Sequence, residues 1–277
     1  MLRSMLVALD GSAYSTAATD LALDWATRFG ARILGVGVLD ERSISRAEAV
    51  PLGAGAYKKA LDEARMADAH RRVADVLDAF RARGLSAGVA TDVLEGIGDP
   101  TERILREAHR CDVVILGRET HFDFDGQDHP DATLAHILRG SPRPVVVVPR
   151  ELPAGRGVVV AYGGGSEAAR TLQTFQLLGL DGGEEVDVVS VHRDGAEAEA
   201  VAHLAGDFLE AHGSRCRLHP IASESQPARV ILEEVRHRRP RLLVIGAHGH
   251  HPLRDLFVTS VTRAVLGASP VPVFVGA

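Results

Sequence analysis

Aromatic residues make up only 4% of this 277-residue chain, and tryptophan occurs once. Its cores must therefore be built from valine, leucine, isoleucine and alanine, within a hydrophobic fraction of 45%. Two cysteines, Cys111 and Cys216, are too few for a disulfide framework and are expected to be reduced and partly buried. No apolar run reaches the roughly 18 residues that a membrane span needs. The N-terminal residues pass straight into a strand-like run without the pattern of a secretory leader. A cytoplasmic protein with no membrane partner is the expectation. A basic excess is missing too: the net charge is −6 and the pI near 6.1, which argues against a nucleic-acid groove. The one dense basic run, Arg236-His-Arg-Arg239, falls at an expected helix end, where cations suit the dipole. Neither Gly-x-x-x-x-Gly-Lys-Ser/Thr nor a Gly-x-Gly-x-x-Gly turn after the first strand is present, so two common phosphate-binding devices are excluded.

What is present is a duplication. Met5-Leu-Val-Ala-Leu-Asp-Gly-Ser12 opens the first half and Val158-Val-Val-Ala-Tyr-Gly-Gly-Gly-Ser166 the second. Each is an apolar run, a glycine turn, a serine and an alanine-rich helical stretch. The halves close alike, with Val113-Val-Ile-Leu-Gly117 and Pro142 to Pro149 against Leu242-Leu-Val-Ile-Gly246 and Pro270 to Val275. Ser12 and Ser166 stand 154 residues apart, Val38 and Val191 153, Gly117 and Gly246 129, Pro142 and Pro270 128. The jump after the second strand matches extra first-half sequence at about 41–64, which contains Pro51-Leu-Gly-Ala-Gly-Ala56 and reads as a flexible loop, with a lid or partner surface as the other reading. Differences between copies then bear on function.

Periodicity gives each half alternating strands and helices. In the first, strands are expected at Leu6–Leu9, Ala31–Leu39, Leu85–Leu94, Val113–Leu116 and Val145–Val148. Ala18, Leu21, Ala22, Trp25 and Phe29 mark a helix that Gly30 caps, and a long helix covers 57–83. Asp99-Pro-Thr-Glu102 reads as a helix start, and a further helix as Ala132–Arg139. The second half repeats the pattern from Val158, with strands at Val186–Val191, Arg217–Ile221, Leu242–Ile245 and Val271–Val275 between helices that include Glu197–His212 and a last one from Ser260. The turn-rich join, Arg150 to Arg156, divides the chain into domains 1–150 and 156–277. The expected fold class is α/β: two tandem doubly wound parallel sheets of five strands, with ligands beyond the carboxyl ends of the strands.

Chemistry is expected in the loops after strands one and four. In the second half Gly246-Ala-His-Gly249 is followed by nine residues and then Thr259-Ser260, which opens a helix. Glycines let backbone amides approach an anion, and hydroxyls and free amides at a helix start can hold phosphate oxygens. The pattern Gly-x2-Gly-x9-Gly-Ser/Thr, with Asp10-Gly-Ser12 after strand one, resembles the universal stress protein family over nearly the whole chain, as a tandem pair of its Rossmann-like domains. The resemblance implies an ATP-binding regulatory protein of the stress response, with ATP or another adenine nucleotide as ligand, often with a divalent metal such as Mg. By position it implies nucleotide contacts at Asp10, Val38 and Gly117 in the first half. In the second it implies Val191, Gly246, His248, Gly249, Thr259 and Ser260.

Each copy departs from the pattern. The first has Thr120 at the second glycine, ten residues instead of nine, and Asp131-Ala132 for the closing pair, with Asp123, Asp125 and Asp128 between. The second has Gly163-Gly-Gly165 where the strand-one aspartate is expected. The second half is thus the better candidate. His121, His129, His136, His248, His250 and His251 lack the spacing of a zinc site. Tyr162-Gly-Gly-Gly-Ser166 is only distantly similar to an ATP pyrophosphatase loop, and Cys111 has no paired histidine. No catalytic residue is assigned, and slow ATP hydrolysis is the most the chain would do. The rival reading is an interaction scaffold without a ligand. The resemblance also implies pairing of Val145–Val148 with Val271–Val275, which would make the chain an intramolecular pseudo-dimer, free to dimerise further and to meet unknown protein partners.

Overall fold

The computed structural model describes residues 1–40, 55–122, 133–246 and 260–276. The first half runs β1 (Ser4–Ala8), α1 (Ala13–Phe29), β2 (Arg32–Leu39), α2 (Gly55–Ser86), β3 (Thr91–Ile97), α3 (Pro100–Ala108), β4 (Val113–Gly117), α4 (Thr133–Gly140) and β5 (Val145–Val148). The second runs β6 (Val158–Ala161), α5 (Ser166–Leu178), β7 (Val186–His192), α6 (Gly195–Ala211), β8 (Cys216–Ala222), α7 (Pro227–Arg238), β9 (Leu242–Ile245), α8 (Ser260–Ala268) and β10 (Val273–Val275).

The strands join into one ten-stranded sheet, in the order β3-β2-β1-β4-β5-β10-β9-β6-β7-β8. Pairing within each half is parallel, and β5 meets β10 antiparallel with Val147, Val146 and Val145 opposite Val273, Phe274 and Val275. The expected pairing of the two fifth strands is therefore present within one chain. It covers two edges that would otherwise expose unpaired amides. The central strands are continuous apolar runs because helices cover both faces: every residue of β4, β5, β6, β9 and β10 is buried.

Capping follows local chemistry. Ser12 accepts from the Ser15 amide at the start of α1, Asp99 from the Glu102 amide at α3, and Asp194 from the Ala196 amide at α6. Gly30 ends α1 in the left-handed conformation, as expected. Several boundaries shift by a few residues from expectation, and two of the shifts have a clear physical reason. The apolar residues near Leu85 read as the start of strand three, but α2 continues to Ser86 and leaves Leu85 81% exposed. The strand begins only at Thr91, after the turn at Gly88. The last strand starts at Val273 rather than Val271, because Pro272 has no N–H to donate to the ladder.

The extra first-half sequence divides in two. Residues 41–54 lie outside the described residues, whereas Gly55 onward forms the first turns of α2. That helix has 32 residues, about 48 Å, against 17 for its counterpart α6. Its buried face starts only at Ala69, so the first turns stand clear of the sheet.

A second contact between the halves surrounds Glu184. Its carboxylate accepts from Arg28 at 2.8 Å, from Arg241 at 3.1 Å and from the Gly157 amide at 2.6 Å. Arg241 also donates to the carbonyls of Leu180 and Asp181, and the Leu2 amide to that of Leu178. Burial alone would raise the Glu184 pKa, but the Gly157 amide and the two guanidinium groups together hold it below the usual carboxylate range.

Candidate functional site

Beyond the carboxyl ends of β6, β7 and β9 lies a cleft of about 260 Å³. Its floor follows from register. Ala161 pairs with both Val189 and Ile245, so the three share one face of the sheet, and Val191 continues the row one step on. Pro227 and Ile231, from the first turns of α7, form the facing wall, and Val261 and Thr262 of α8 close one side. Glycines bound the remaining side: Gly163 and Gly165 after β6 and Gly246 after β9. Among the described residues the lining carries no Asp, Glu, Lys or Arg, and its titratable side chains are Tyr162 and His192.

Backbone constraints hold the glycine side. Gly164 sits at φ 78°, as its counterpart Gly11 does, so both turns need the left-handed conformation. At Gly246 a Cβ would lie 3.2 Å from the main chain of Ala168, so α5 and the end of β9 approach as closely as backbones can. Thr262 donates to the Gly246 carbonyl at 3.0 Å and ties α8 to that strand end. Gly165 takes the N-cap position of α5 without a side-chain cap bond, and Gly165 and Ala168 of that helix start line the cleft. The expected equivalence of Ser12 and Ser166 is thereby corrected. Ser12 and Gly165 are the counterparts, and Ser166 lies one residue further, inside the helix. Strand register agrees, since Met5 pairs with Ile33 as Val158 pairs with Val186, an offset of 153 throughout.

Val191 and Gly246 thus stand at opposite ends of one cleft, and Ser260 is the exposed first residue of α8. His248, Gly249 and Thr259 lie outside the described residues, as do Asp123, Asp125, Asp128, His129, Asp131, His250 and His251. The spacing signature did not point to Ala161, Val189, Ile231 or Ile245. For the α7 wall a signal was there: Ala228, Ile231, Leu232 and Val235 recur at helical spacing. Tyr162, after β6, is 7% exposed, and burial pushes its hydroxyl pKa up, so it is a neutral phenol. His192, next to Val191 on β7, also lines the cleft. Its Nε2 is buried without a hydrogen-bond partner.

The first half brings Asp10, Val38 and Gly117 to its own carboxyl edge but engages them internally. Asp10 accepts from the Ser12 amide at 2.9 Å and from the His121 amide at 2.8 Å. Thr120, 3% exposed, donates to the Gly117 carbonyl, and Phe122 is 5% exposed. Gly117 packs so closely on α1 that a Cβ there would lie 2.5 Å from that of Tyr14. Val38 is fully buried in β2. Elsewhere, burial raises the pKa of Cys111 and of Cys216, which keeps both as thiols. Among the described residues no group of three or more His, Cys, Asp or Glu could hold a metal ion.

Comparison with known proteins yields one family. The universal stress protein family matches residues 1–149 and 210–275. Universal stress protein Slr1230 of Synechocystis sp. is 25% identical over 285 residues, covering 98% of this chain and 99% of that protein. Among solved structures, a universal stress protein from Archaeoglobus fulgidus DSM 4304 superposes with a TM-score of 0.70 at 20% identity, over 99% of this chain and 97% of its own. Protein PA1789 of Pseudomonas aeruginosa PAO1, functionally unknown, does so with a TM-score of 0.57 at 16% identity, over 99% and 92%. These two likenesses are of fold.

Proposed function

The chain belongs to the universal stress protein family, and on that premise we propose that its second half binds an adenine nucleotide as a regulatory ligand. The observation that carries the reading is the division of the second-half cleft. Val189, Val191 and Ile231 offer an apolar wall for a base, and the opposite end offers glycine backbone and the glycine-led start of α5 for phosphates. Gly246, His248, Gly249, Thr259 and Ser260 would complete the phosphate side. A magnesium ion would enter on the triphosphate. Binding would change the surface that this rim shows to a protein partner. The reading is of binding, not turnover.

The first half is the weaker site of the pair. Both Asp10 oxygens already hold amides of the chain itself, so one nucleotide per chain is expected. The same observation favours a second reading for that half, as a scaffold kept for packing, with the division into domains 1–150 and 156–277. No helix among the described residues is long and apolar enough to cross a membrane.

Isothermal titration with Mg-ATP tests the proposal on the full chain and on Val191→Trp, which fills the cleft from its β7 wall. One binding event that the substitution abolishes is the expected result; equal affinity in both proteins overturns the assigned cleft. Protein purified without added nucleotide and heat-extracted would release adenine absorbance near 260 nm if the ligand is retained, and its absence together with no titration would favour the scaffold.

A further inference from the structure

The two halves differ most pointedly at one position of the repeat. Asp10 and Gly163 are counterparts: each is the second residue after its first strand, and each precedes a glycine at φ 78°. In the first half a carboxylate stands there. In the second there is no side chain, and a Cβ built at Gly163 meets nothing within 4 Å among the described residues. Gly163 also lines the cleft.

Strand order says which part of a ligand passes this point. In the second half β6 lies between β9 and β7. A nucleotide with its base on the β7 and α7 wall and its phosphates at the β9 and α5 end must lay its sugar across the end of β6. Gly163 is at that end. The described lining holds no Asp or Glu, so no carboxylate there repels added negative charge.

We propose that Gly163 is a specificity-determining residue, which opens the second-half cleft to nucleotides carrying a substituent, phosphate included, on the ribose hydroxyls. The inference rests on the nucleotide reading above. A carboxylate at this position would take up the space beside the sugar and set one negative charge against another at close range. In a partly desolvated cleft such a pair costs on the order of a tenfold loss of affinity or more.

The test is calorimetric titration of the full chain with AMP and with adenosine 3′,5′-bisphosphate, on the wild type, Gly163→Asp and Gly163→Asn. Gly163 is not in the positive-φ region and the described residues leave room beside it, so both side chains can be carried without backbone strain. The wild type is expected to bind the two ligands within about threefold of each other. Gly163→Asp is expected to weaken the bisphosphate by about tenfold or more relative to AMP, and Gly163→Asn, equal in size but uncharged, by much less. A wild type that binds AMP but rejects the bisphosphate by about tenfold overturns the inference and leaves the nucleotide reading standing. So does a Gly163→Asp protein with an unchanged ratio. A wild type that binds neither ligand overturns the nucleotide reading, and this inference with it.

Discussion

The carboxylate of Asp10 accepts the main-chain amide of His121, 111 residues further on, at 2.8 Å. The end of β1 and the segment after β4 are thereby clamped together, with the Ser12 amide on the other carboxylate oxygen. A residue whose type suits a ligand contact is, in this half, bound to its own chain.

Asp10→Ala should therefore act on stability before it acts on binding. Two amides lose a charged acceptor, at a cost of about 2 kcal/mol. Hydrogen exchange at His121 should quicken, and Mg-ATP titration should still show one event per chain. A drop in the number of bound nucleotides would place a ligand at Asp10 instead.

Glu184 links stability to pH. Its carboxyl is held below the usual range, so its contribution is fully present above the unfolded value, about 4.3, and is lost as pH falls through the lower folded value. Glu184→Gln should cost about 2 kcal/mol at pH 7, since Arg28, Arg241 and the Gly157 amide lose their charged acceptor. Urea unfolding of both proteins should show a constant gap from pH 7 to about 5. That gap should narrow below about pH 4.

His192→Leu should stabilise the protein. The counterpart in the first half is Leu39, fully buried, whereas His192 keeps a buried nitrogen without a partner. Removing that nitrogen should gain about 1 kcal/mol, read as a higher urea midpoint.

Phe274→Ala probes the join between the halves. Phe274 is fully buried in β10 opposite Val146 and meets Phe175 edge to face, with centroids 6.2 Å apart. Truncation should cost about 3–5 kcal/mol. Calorimetry should then show two separated transitions if the halves depend on this seam for their cooperativity.

Much of this architecture was legible because its strands are short, continuous apolar runs bounded by glycine or proline. The pairing of Val145–Val148 with the last strand followed from the family resemblance and not from the run itself. Other features depend on forces that spacing does not record. Leu85 reads as strand by its neighbours, yet helix propagation carries α2 past it. Ser12 and Ser166 match in chemistry, but turn geometry pairs Ser12 with Gly165. The glycines of the candidate site could be read from the sequence. The apolar stripe of α7 could be read too, but not its place opposite Val191, nor the engagement of Asp10, because each depends on residues that tertiary folding brings together from far along the chain.

The antiparallel seam reverses polarity midway across the sheet. The rim where β1 and β4 end and the rim where β6 and β9 end consequently look out in opposite directions. A molecule seated at the second cannot touch the first. Any influence of one rim on the other would have to cross the seam, where Val146 and Phe274 face one another.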